Sequence, residues 1–345
     1  MGAGDESNIK KWTIAKYWLP YTHANAIRAA EGATLAAVCD VNESAAEAAA
    51  LRENLSRHYV DMDAMFKSEQ LDAVAIATRT AERMSVIERA VESGVRAIYC
   101  EKPLANSLEE SDRIARLIHD TGTLFVYGTR RRFMAGFQQA KDLVDAGEIG
   151  ELTTIVIRFG RGLLLWSHPH SVDIASYFTD DSKIEYVRAE LDLDPGSIDG
   201  QVIDADPIIN MAHMKFENGV NAHIVAADSQ DVELTGTKGM ITIRANGSEL
   251  RLRQQVPGGG DIGWFLSEKP ITVEDRITGA TAGVTELVNG LTHGREPGYN
   301  VDLAVANQEA LFGFVQSHLR DGAKTYIPVE RRDLVVTGRF GDLYA

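Results

Sequence analysis

Short apolar runs alternate with longer stretches of helical periodicity in the first third of the chain. The apolar runs are residues 35–39, 71–77, 97–100 and 124–127. The stretches of helical periodicity, rich in Ala and Glu, are residues 42–54, 83–93 and 107–119. Strands that are apolar on both faces occur in parallel sheets covered by helices on both sides. The pattern therefore predicts an α/β fold with a doubly wound parallel sheet in this part of the chain.

The pattern changes after about residue 128, where strands follow one another without helices between them. A helix at 134–146 precedes the β-rich residues 153–158. The later predicted elements are strands at 184–192, 208–216, 219–227, 231–236, 239–244 and 248–254 and a helix at 302–319. Asn-Gly pairs at 218–219 and 246–247 favour tight hairpins. We therefore predict a second α/β region with a large, mostly antiparallel sheet.

Length, charge and cysteine content limit the class of protein. The 345 residues fit two domains, which we place at 1–128 and 129–345. With 35 basic and 50 acidic residues, the net charge of −15 argues against a nucleic-acid or anionic membrane surface, because both require a basic face. Two cysteines are too few for a disulfide-stapled secreted scaffold, no apolar run can span a bilayer, and the N-terminus lacks an apolar signal segment. We predict a cytoplasmic protein.

Two features of the first domain indicate dinucleotide binding. Gly2 and Gly4 match the first two glycines of a dinucleotide fingerprint, in which a missing side chain lets the backbone approach a pyrophosphate. Asp40 follows the first predicted strand, where such folds hold the adenine ribose. A carboxylate there repels a 2′-phosphate and favours NAD, whereas Asn42 nearby leaves NADP open. The alternative is that Asp40 is only a solvated aspartate at a strand end.

A sharper signal is the segment Cys100-Glu101-Lys102-Pro103, directly after a buried strand. Ligands of open α/β sheets bind at the carboxyl ends of the strands, where this lysine is predicted to lie. An oxidised nicotinamide nearby would disfavour the ammonium and bring its pKa toward a value useful for acid–base chemistry. The alternative is a surface lysine paired with Glu101.

Several segments, in the same order, resemble the glucose-fructose oxidoreductase/inositol dehydrogenase (Gfo/Idh/MocA) family of sugar and cyclitol oxidoreductases. They are residues 97–105 with their Glu-Lys-Pro motif, 36–41, 131–133, 147–150 and 236–239. The resemblance implies an N-terminal Rossmann domain and a C-terminal α/β domain whose open sheet faces a partner subunit. It also implies an NAD(P) cofactor, a small-molecule sugar or cyclitol substrate, and a homodimer or homotetramer.

The same resemblance implies roles for individual residues. Lys102 binds the reacting hydroxyl beside the cofactor, and His170 shuttles the proton; His170 and Asp173 occupy the family's H-x-x-D positions. From the residues themselves, Pro169 suits the first turn of a helix, so that His170 and Asp173 share a face and the carboxylate can set the imidazole's tautomer. The alternative is that Asp173 is a first-turn carboxylate favoured by the helix dipole.

The chain departs from the family pattern beside His170. Many members carry an aspartate where this chain has Trp166, so that His168 or Asp173 would take part of its role. A zinc site formed by His168, His170 and Asp173 is conceivable from the residue types, but hydride transfer needs no metal and we expect none. We expect Arg131, Arg132 and Trp166 to line the substrate site, with core packing or salt bridges as the alternatives.

The cofactor half departs from the family pattern as well. Where the family has Thr-Pro-Asn and then a histidine, this chain has Thr78-Arg79-Thr80 and Arg83. We expect Thr78, Arg79 and Glu101 to contact the cofactor, Arg79 through a phosphate, although Arg79 could simply lie in solvent. The apolar strand that should precede Gly2 is absent, and we hypothesise that the natural start lies upstream or that the strand is lost.

The predicted function is an NAD(P)-dependent oxidoreductase that acts on a secondary hydroxyl, or the corresponding ketone, of a sugar, amino sugar or cyclitol. One alternative is a regulator of the same fold that binds nucleotide or sugar without turnover. Another is an NAD-dependent glycosidase, which oxidises its substrate transiently and then eliminates. Net accumulation of reduced cofactor distinguishes the dehydrogenase from both alternatives.

Overall fold

The computed structural model describes residues 19–20, 22–255, 266–277 and 279–338, which pack into two compact units. The first contains the described residues up to Ala105 together with Glu110–Arg130 and 279–305, and the second contains the others. Residues 279–305 thus pack with the first unit, although the sequence boundary near residue 128 assigns them to the second domain. The division into domains 1–128 and 129–345 stays a prediction.

Strands and helices alternate up to residue 127. The strands are β1 (Val38–Cys39), β2 (His58–Tyr59), β3 (Ala73–Ile76), β4 (Ala97–Cys100) and β5 (Leu124–Tyr127). The helices are α1 (His23–Ala29), α2 (Glu43–Arg52), α3 (Met62–Ser68), α4 (Thr80–Glu92) and α5 (Leu108–Thr121). The predicted strand 35–39 pairs only at Val38 and Cys39, because its partner β2 is itself two residues long.

The parallel strands form two sheets in the described part of the chain. β1 pairs with β2, and β4 lies between β3 and β5, so that Ile76, Cys100 and Tyr127 are neighbours at the carboxyl edge. Every residue of β4 is buried, as expected for a central strand with both faces covered.

The remaining strands are β6 (Leu152–Phe159), β7 (Ile184–Asp192), β8 (Ile198–Asp199), β9 (Val202–Ile203), β10 (Ile208–Phe216), β11 (Asn221–Val225), β12 (Asp228–Gly236), β13 (Gly239–Arg244), β14 (Glu249–Gln255), β15 (Leu266–Ile271), β16 (Thr325–Tyr326) and β17 (Val335–Val336). The remaining α-helices are α6 (Ala135–Asp145), α7 (Leu164–Ser167), α8 (Pro169–Phe178), α9 (Gly279–His293) and α10 (Val301–His318). Among the described residues, no helix combines the length and apolarity that crossing a membrane requires.

The second unit is organised around a nine-stranded sheet with the order β15-β14-β13-β12-β6-β11-β10-β7-β16. Its pairs are antiparallel except β6 with β11, which are parallel. Buried and more exposed residues alternate along β7, since one face of such a sheet is packed and the other is open. Gly219 has a φ of 93° in the predicted turn between β10 and β11. The predicted fold class, a parallel Rossmann sheet followed by a large, mostly antiparallel sheet, is confirmed.

The sequence pattern does not predict helix α9, which packs on β4 and β5 in the first unit. Glycine disfavours helix formation by about 1 kcal/mol per residue, and α9 contains several glycines. At Gly283 the reason is packing, because a Cβ atom there would lie 2.7 Å from Cε2 of Tyr99. Close contact with the sheet therefore outweighs the low local propensity.

Candidate functional site

Four predicted site residues of the first unit lie in the loops at the carboxyl edge of the sheet formed by β3, β4 and β5: Thr78, Arg79, Glu101 and Lys102. Glu101 follows β4, and its backbone N–H donates to the carbonyl oxygen of Ile76 at 2.9 Å. The N–H of Gly128 donates to the carbonyl oxygen of Cys100 at 2.7 Å. These bonds extend the pairing of the strands into the loops, so that the residues after each strand stay side by side.

Lys102 lies at this edge with only 5% of its surface exposed, which does not fit a surface lysine. Its backbone N–H donates to Oε2 of Glu101 at 3.3 Å. The peptide bond from Lys102 to Pro103 is cis. Lys102 therefore follows the central strand of the sheet in a largely buried position.

Glu101 forms a buried pair with His23 on helix α1. Nε2 of His23 lies 3.0 Å from Oε1 of Glu101, and the two side chains are 4% and 6% exposed. Burial raises the pKa of Glu101, but the hydrogen bond from His23 and the electrostatic interactions with His23, Arg130 and Lys102 outweigh it and lower this pKa to about 2. An ionised carboxylate only accepts hydrogen bonds, so Nε2 of His23 is the donor.

Glu101 leaves little space for a side chain at Gly128, the first residue after β5. A Cβ atom on Gly128 would lie 3.0 Å from Cα of Glu101 and 3.2 Å from its Cδ. His23 is not among the predicted site residues, and its pairing with Glu101, 78 residues away, is visible only in three dimensions.

The predicted cofactor residues Asp40 and Asn42 are exposed. Asp40 follows β1, and its Oδ1 accepts from the backbone N–H of Asn42 at 2.9 Å, while Oδ2 has no hydrogen bond within the described part of the chain. The side chain of Asn42 caps helix α2 by accepting from Ala45 at 3.2 Å. An exposed carboxylate with one oxygen held in place fits a ribose hydroxyl.

Thr78 and Arg79 join β3 to helix α4. The carbonyl oxygen of Thr78 accepts from Nη2 of Arg83 at 2.7 Å, and Arg83 is buried. Arg79 is exposed at the N-cap position of α4 and makes no capping hydrogen bond with its side chain. The positions of Thr78 and Arg79 at the carboxyl edge suit contact with a bound dinucleotide. Gly2 and Gly4 lie outside the described residues.

The predicted catalytic residues of the second unit lie on helix α8, which begins at Pro169 as predicted. His170 is half-buried, whereas Asp173 is fully buried. Oδ1 of Asp173 accepts from Nε of Arg132 at 2.6 Å, and Nη2 of Arg132 lies 2.9 Å from Oδ1 of Asp181. Arg132 is thus held in a salt bridge, one of the alternatives weighed for it, and the proposal that Asp173 orients His170 stays a prediction.

His168 is a fully buried histidine at the N-cap position of α8. Its Nδ1 lies 3.0 Å from Oγ of Ser171. Burial, together with the nearby charge of Arg131, lowers the pKa of His168 to about 4, so that the imidazole is neutral at pH 7. Within the described ranges, no group of three or more His, Cys, Asp or Glu side chains is arranged to hold a metal ion.

The two predicted substrate residues Arg131 and Trp166 are both held by neighbours in the second unit. Nε of Arg131 donates to Oδ1 of Asn246 at 2.9 Å, and its guanidinium lies 4.6 Å from the centroid of the Phe159 ring. Trp166 is half-buried, and its backbone N–H donates to Oδ2 of Asp206 at 3.1 Å. Their contact with substrate stays a prediction.

Comparison with known proteins places these features in a family. The family model described as "Oxidoreductase family, NAD-binding Rossmann fold" (GFO_IDH_MocA) matches residues 18–129. The scyllo-inositol 2-dehydrogenase (NAD(+)) of Bacillus subtilis is 28% identical over 245 residues, which cover 65% of this chain and 70% of that protein. The inositol 2-dehydrogenase of Rhizobium meliloti is 33% identical over 135 residues, 39% of this chain and 40% of that protein.

A solved structure extends the likeness over both units. The aldose-aldose oxidoreductase from Caulobacter crescentus, complexed with glycerol, superposes with a TM-score of 0.75 at 20% identity, covering 90% of this chain and 97% of that one. At this identity the likeness shows the fold alone. The family match confirms the predicted NAD-binding Rossmann fold. Residues 18–129 therefore match the NAD-binding Rossmann fold of the Gfo/Idh/MocA oxidoreductases, and the chain resembles NAD-dependent inositol dehydrogenases over about two thirds of its length.

Proposed function

We propose that this protein transfers a hydride between NAD and a secondary hydroxyl, or the corresponding ketone, of a cyclitol, sugar or amino sugar. The observation that carries the proposal is the position of Lys102, buried directly after the central strand of the parallel sheet. Ligands of such sheets bind at the carboxyl edge, and a lysine there can hold the oxygen of a reacting hydroxyl.

When bound, NAD supplies the hydride acceptor, and the residues of the chain supply positioning and proton transfer. Nζ of Lys102 holds and polarises the oxygen that becomes a carbonyl. Nε2 or Nδ1 of His170 accepts the hydroxyl proton. Asp40 holds the adenine ribose and disfavours a 2′-phosphate, so NAD is preferred to NADP. Holding the reactants in a fixed geometry removes much of the barrier.

The choice of substrate class is supported by the names of relatives. The two curated relatives described above are named for an inositol as substrate. Inositols and sugars share a ring of secondary hydroxyls, so we place cyclitols first and sugars second.

A substrate panel tests the proposal. Inositols, sugars, amino sugars and sugar nucleotides are incubated with NAD or NADP, and the absorbance of the reduced cofactor is followed. We expect reduced cofactor to accumulate with at least one cyclitol or sugar, faster with NAD than with NADP. Cofactor binding without turnover on any compound would instead indicate a regulator, and product formation without net reduction of NAD would indicate a glycosidase.

We further propose that two copies of the chain pair through the open face of the nine-stranded sheet. This face carries Val156, Met211 and Val225, and Met211 is 53% exposed. The residues of the opposite face in the same strands, such as Ile155 and Ala212, are fully buried. A contiguous apolar patch on the open face of a broad sheet is typical of a surface covered by a partner.

Light scattering after size exclusion tests this pairing. Met211→Asp should lower the mass to that of a single chain, because the carboxylate would be buried in the interface. Leu51→Asp, at a position 82% exposed in the first unit, is the matched control and should leave the mass unchanged. A single-chain mass for the unaltered protein would overturn the proposal.

A further inference from the structure

We propose that Glu101 is a positioning residue for Lys102, not a cofactor contact: its buried carboxylate, anchored by His23, fixes the turn that carries Lys102 and keeps the lysine's ammonium charged. The inference rests on the proposed role of Lys102, and it assigns His23 a part in the same site. It also changes the assignment of Glu101, which the sequence alone places among the cofactor-binding residues.

The hydrogen bonds of Glu101 support this assignment. Oε1 accepts from Nε2 of His23, and Oε2 accepts from the backbone N–H of Lys102. Both oxygens are therefore engaged within the chain, and the side chain is 6% exposed. The carboxylate connects His23 of helix α1 to the backbone N–H of Lys102. It therefore fixes the backbone from which the Lys102 side chain extends.

Three basic groups face the carboxylate: His23 from helix α1, Arg130 three residues after β5, and Lys102 itself. The other titratable groups coupled to it are the thiol of Cys100 and the phenols of Tyr99 and Tyr127. Burial raises the pKa of all three, that of Cys100 to about 12, so they are neutral near pH 7. Glu101 is thus the negative charge among these groups.

A buried negative charge matters because two effects act against a charged lysine at this position. Burial disfavours the ammonium, and so does a neighbouring oxidised nicotinamide. The interaction of two charges is reciprocal: the charge of Lys102 lowers the pKa of Glu101, and the carboxylate raises the proton affinity of Lys102 to the same extent. An ammonium can then donate a hydrogen bond to the substrate oxygen.

A direct test measures the protonation of Lys102 by NMR, which does not require the protein to be catalytically active. Protein labelled with ¹³C at lysine Cε is titrated with NAD bound, and the Lys102 signal is assigned by its loss in Lys102→Arg. In Glu101→Gln the titration of this signal should move to lower pH, because the amide keeps the hydrogen bond from His23 but removes the charge. An unchanged titration would overturn the proposal.

The matched control is Glu53→Gln. Glu53 is another buried glutamate of the first unit, with a side chain that is 6% exposed. It pairs with Arg28 and not with residues 101–103. Glu53→Gln should lower stability without moving the Lys102 titration. If Glu101→Gln does not fold, Glu101→Asp withdraws the carboxylate by one methylene and should move the titration in the same direction, by less.

Kinetic measurements distinguish a positioning role of Glu101 from direct contact with the cofactor. For Glu101→Gln we expect the pH profile of kcat/KM to shift with the Lys102 titration, and KM for NAD to change by less than about threefold. A large rise in KM for NAD at unchanged kcat would return Glu101 to the cofactor site. If Lys102 proved dispensable for turnover, the NMR titration would still decide the coupling, so the two proposals fail separately.

Discussion

Each unit contains a buried histidine, and the two histidines differ in their partners: one lies beside a charged carboxylate and the other beside a neutral hydroxyl. In the first unit, His23 is paired with a carboxylate that stays ionised, with positive groups on several sides. In the second unit, His168 is paired with the hydroxyl of Ser171 and stays neutral. Burial is nearly complete in both places. The difference between the charged Glu101 and the neutral His168 therefore comes from their neighbouring groups and not from their burial.

In the proposed alcohol oxidation, this difference would give the two units different roles. The first unit keeps a charge network that can hold Lys102 as an ammonium and polarise an oxygen. The second unit presents helix α8, where His168 is neutral and His170 is half-buried, a setting suited to proton acceptance. The carboxylate of Asp173, which the sequence offered as a partner for His170, is engaged by Arg132.

The largest effect we expect is on His170. Replacing His170 with Ala should lower kcat by about 10²–10⁴-fold at neutral pH, because the proton acceptor is lost. The loss should be partly relieved as pH rises, since hydroxide can replace the missing base. A kcat profile from pH 6 to 10 checks both; a profile parallel to that of the unaltered enzyme would remove His170 from proton transfer.

The next effect separates the structural role of Asp173 from a catalytic one. Asp173→Asn removes the fully buried carboxylate that pairs with Arg132, so we expect the free energy of unfolding to fall by about 3–5 kcal/mol. Asp181→Asn removes a carboxylate that is 28% exposed and should cost clearly less. Urea denaturation measures both; equal costs would show that burial of the pair does not govern stability here.

The smallest effect concerns pH and compares the two units directly. His168 has a pKa of about 4 when folded against an ordinary value of 6.5, so the unfolded chain binds the proton more readily and stability falls as pH drops from about 6.5 to 4. From pH 7 to pH 5 this contributes a loss of about 2 kcal/mol. The lowered pKa of Glu101, about 2, costs stability only below about 4.5.

Urea denaturation at pH 7 and pH 5 measures this loss together with the contributions of His213 and His223, whose pKa values are also lowered, and the His168→Gln variant separates the part due to His168. His168→Gln should reduce the loss across this interval by about 2 kcal/mol, whereas Glu101→Gln should leave it nearly unchanged. The opposite pattern would mean that the assignment of the charged and the neutral site is reversed.

Local patterns predicted much of the fold. β4 and β5 match the predicted apolar runs, because a strand with both faces covered leaves a continuous apolar signature. Helix α9 was missed because its glycines serve packing on the sheet and weaken the local helical signal.

The position of Lys102 at the end of a strand is predictable from a contiguous motif, whereas pairs of residues distant in sequence are not. Lys102 sits where the Glu-Lys-Pro segment indicated. The pairs His23–Glu101 and Arg132–Asp173 join residues 78 and 41 positions apart, and no spacing rule connects them. Arg132 was predicted to line the substrate site, with a salt bridge as the alternative. Its buried salt bridge with Asp173 explains why its side chain is buried.

The central claim is that Lys102 acts on the reacting oxygen and not on the cofactor. The most direct measurement compares kcat and the Kd for NAD in Lys102→Met, with Lys67→Met, an exposed lysine of helix α3, as the control. We predict that kcat of Lys102→Met falls by at least ~100-fold while the Kd for NAD changes little, and that Lys67→Met alters neither. A kcat for Lys102→Met within about tenfold of the unaltered enzyme would contradict the claim.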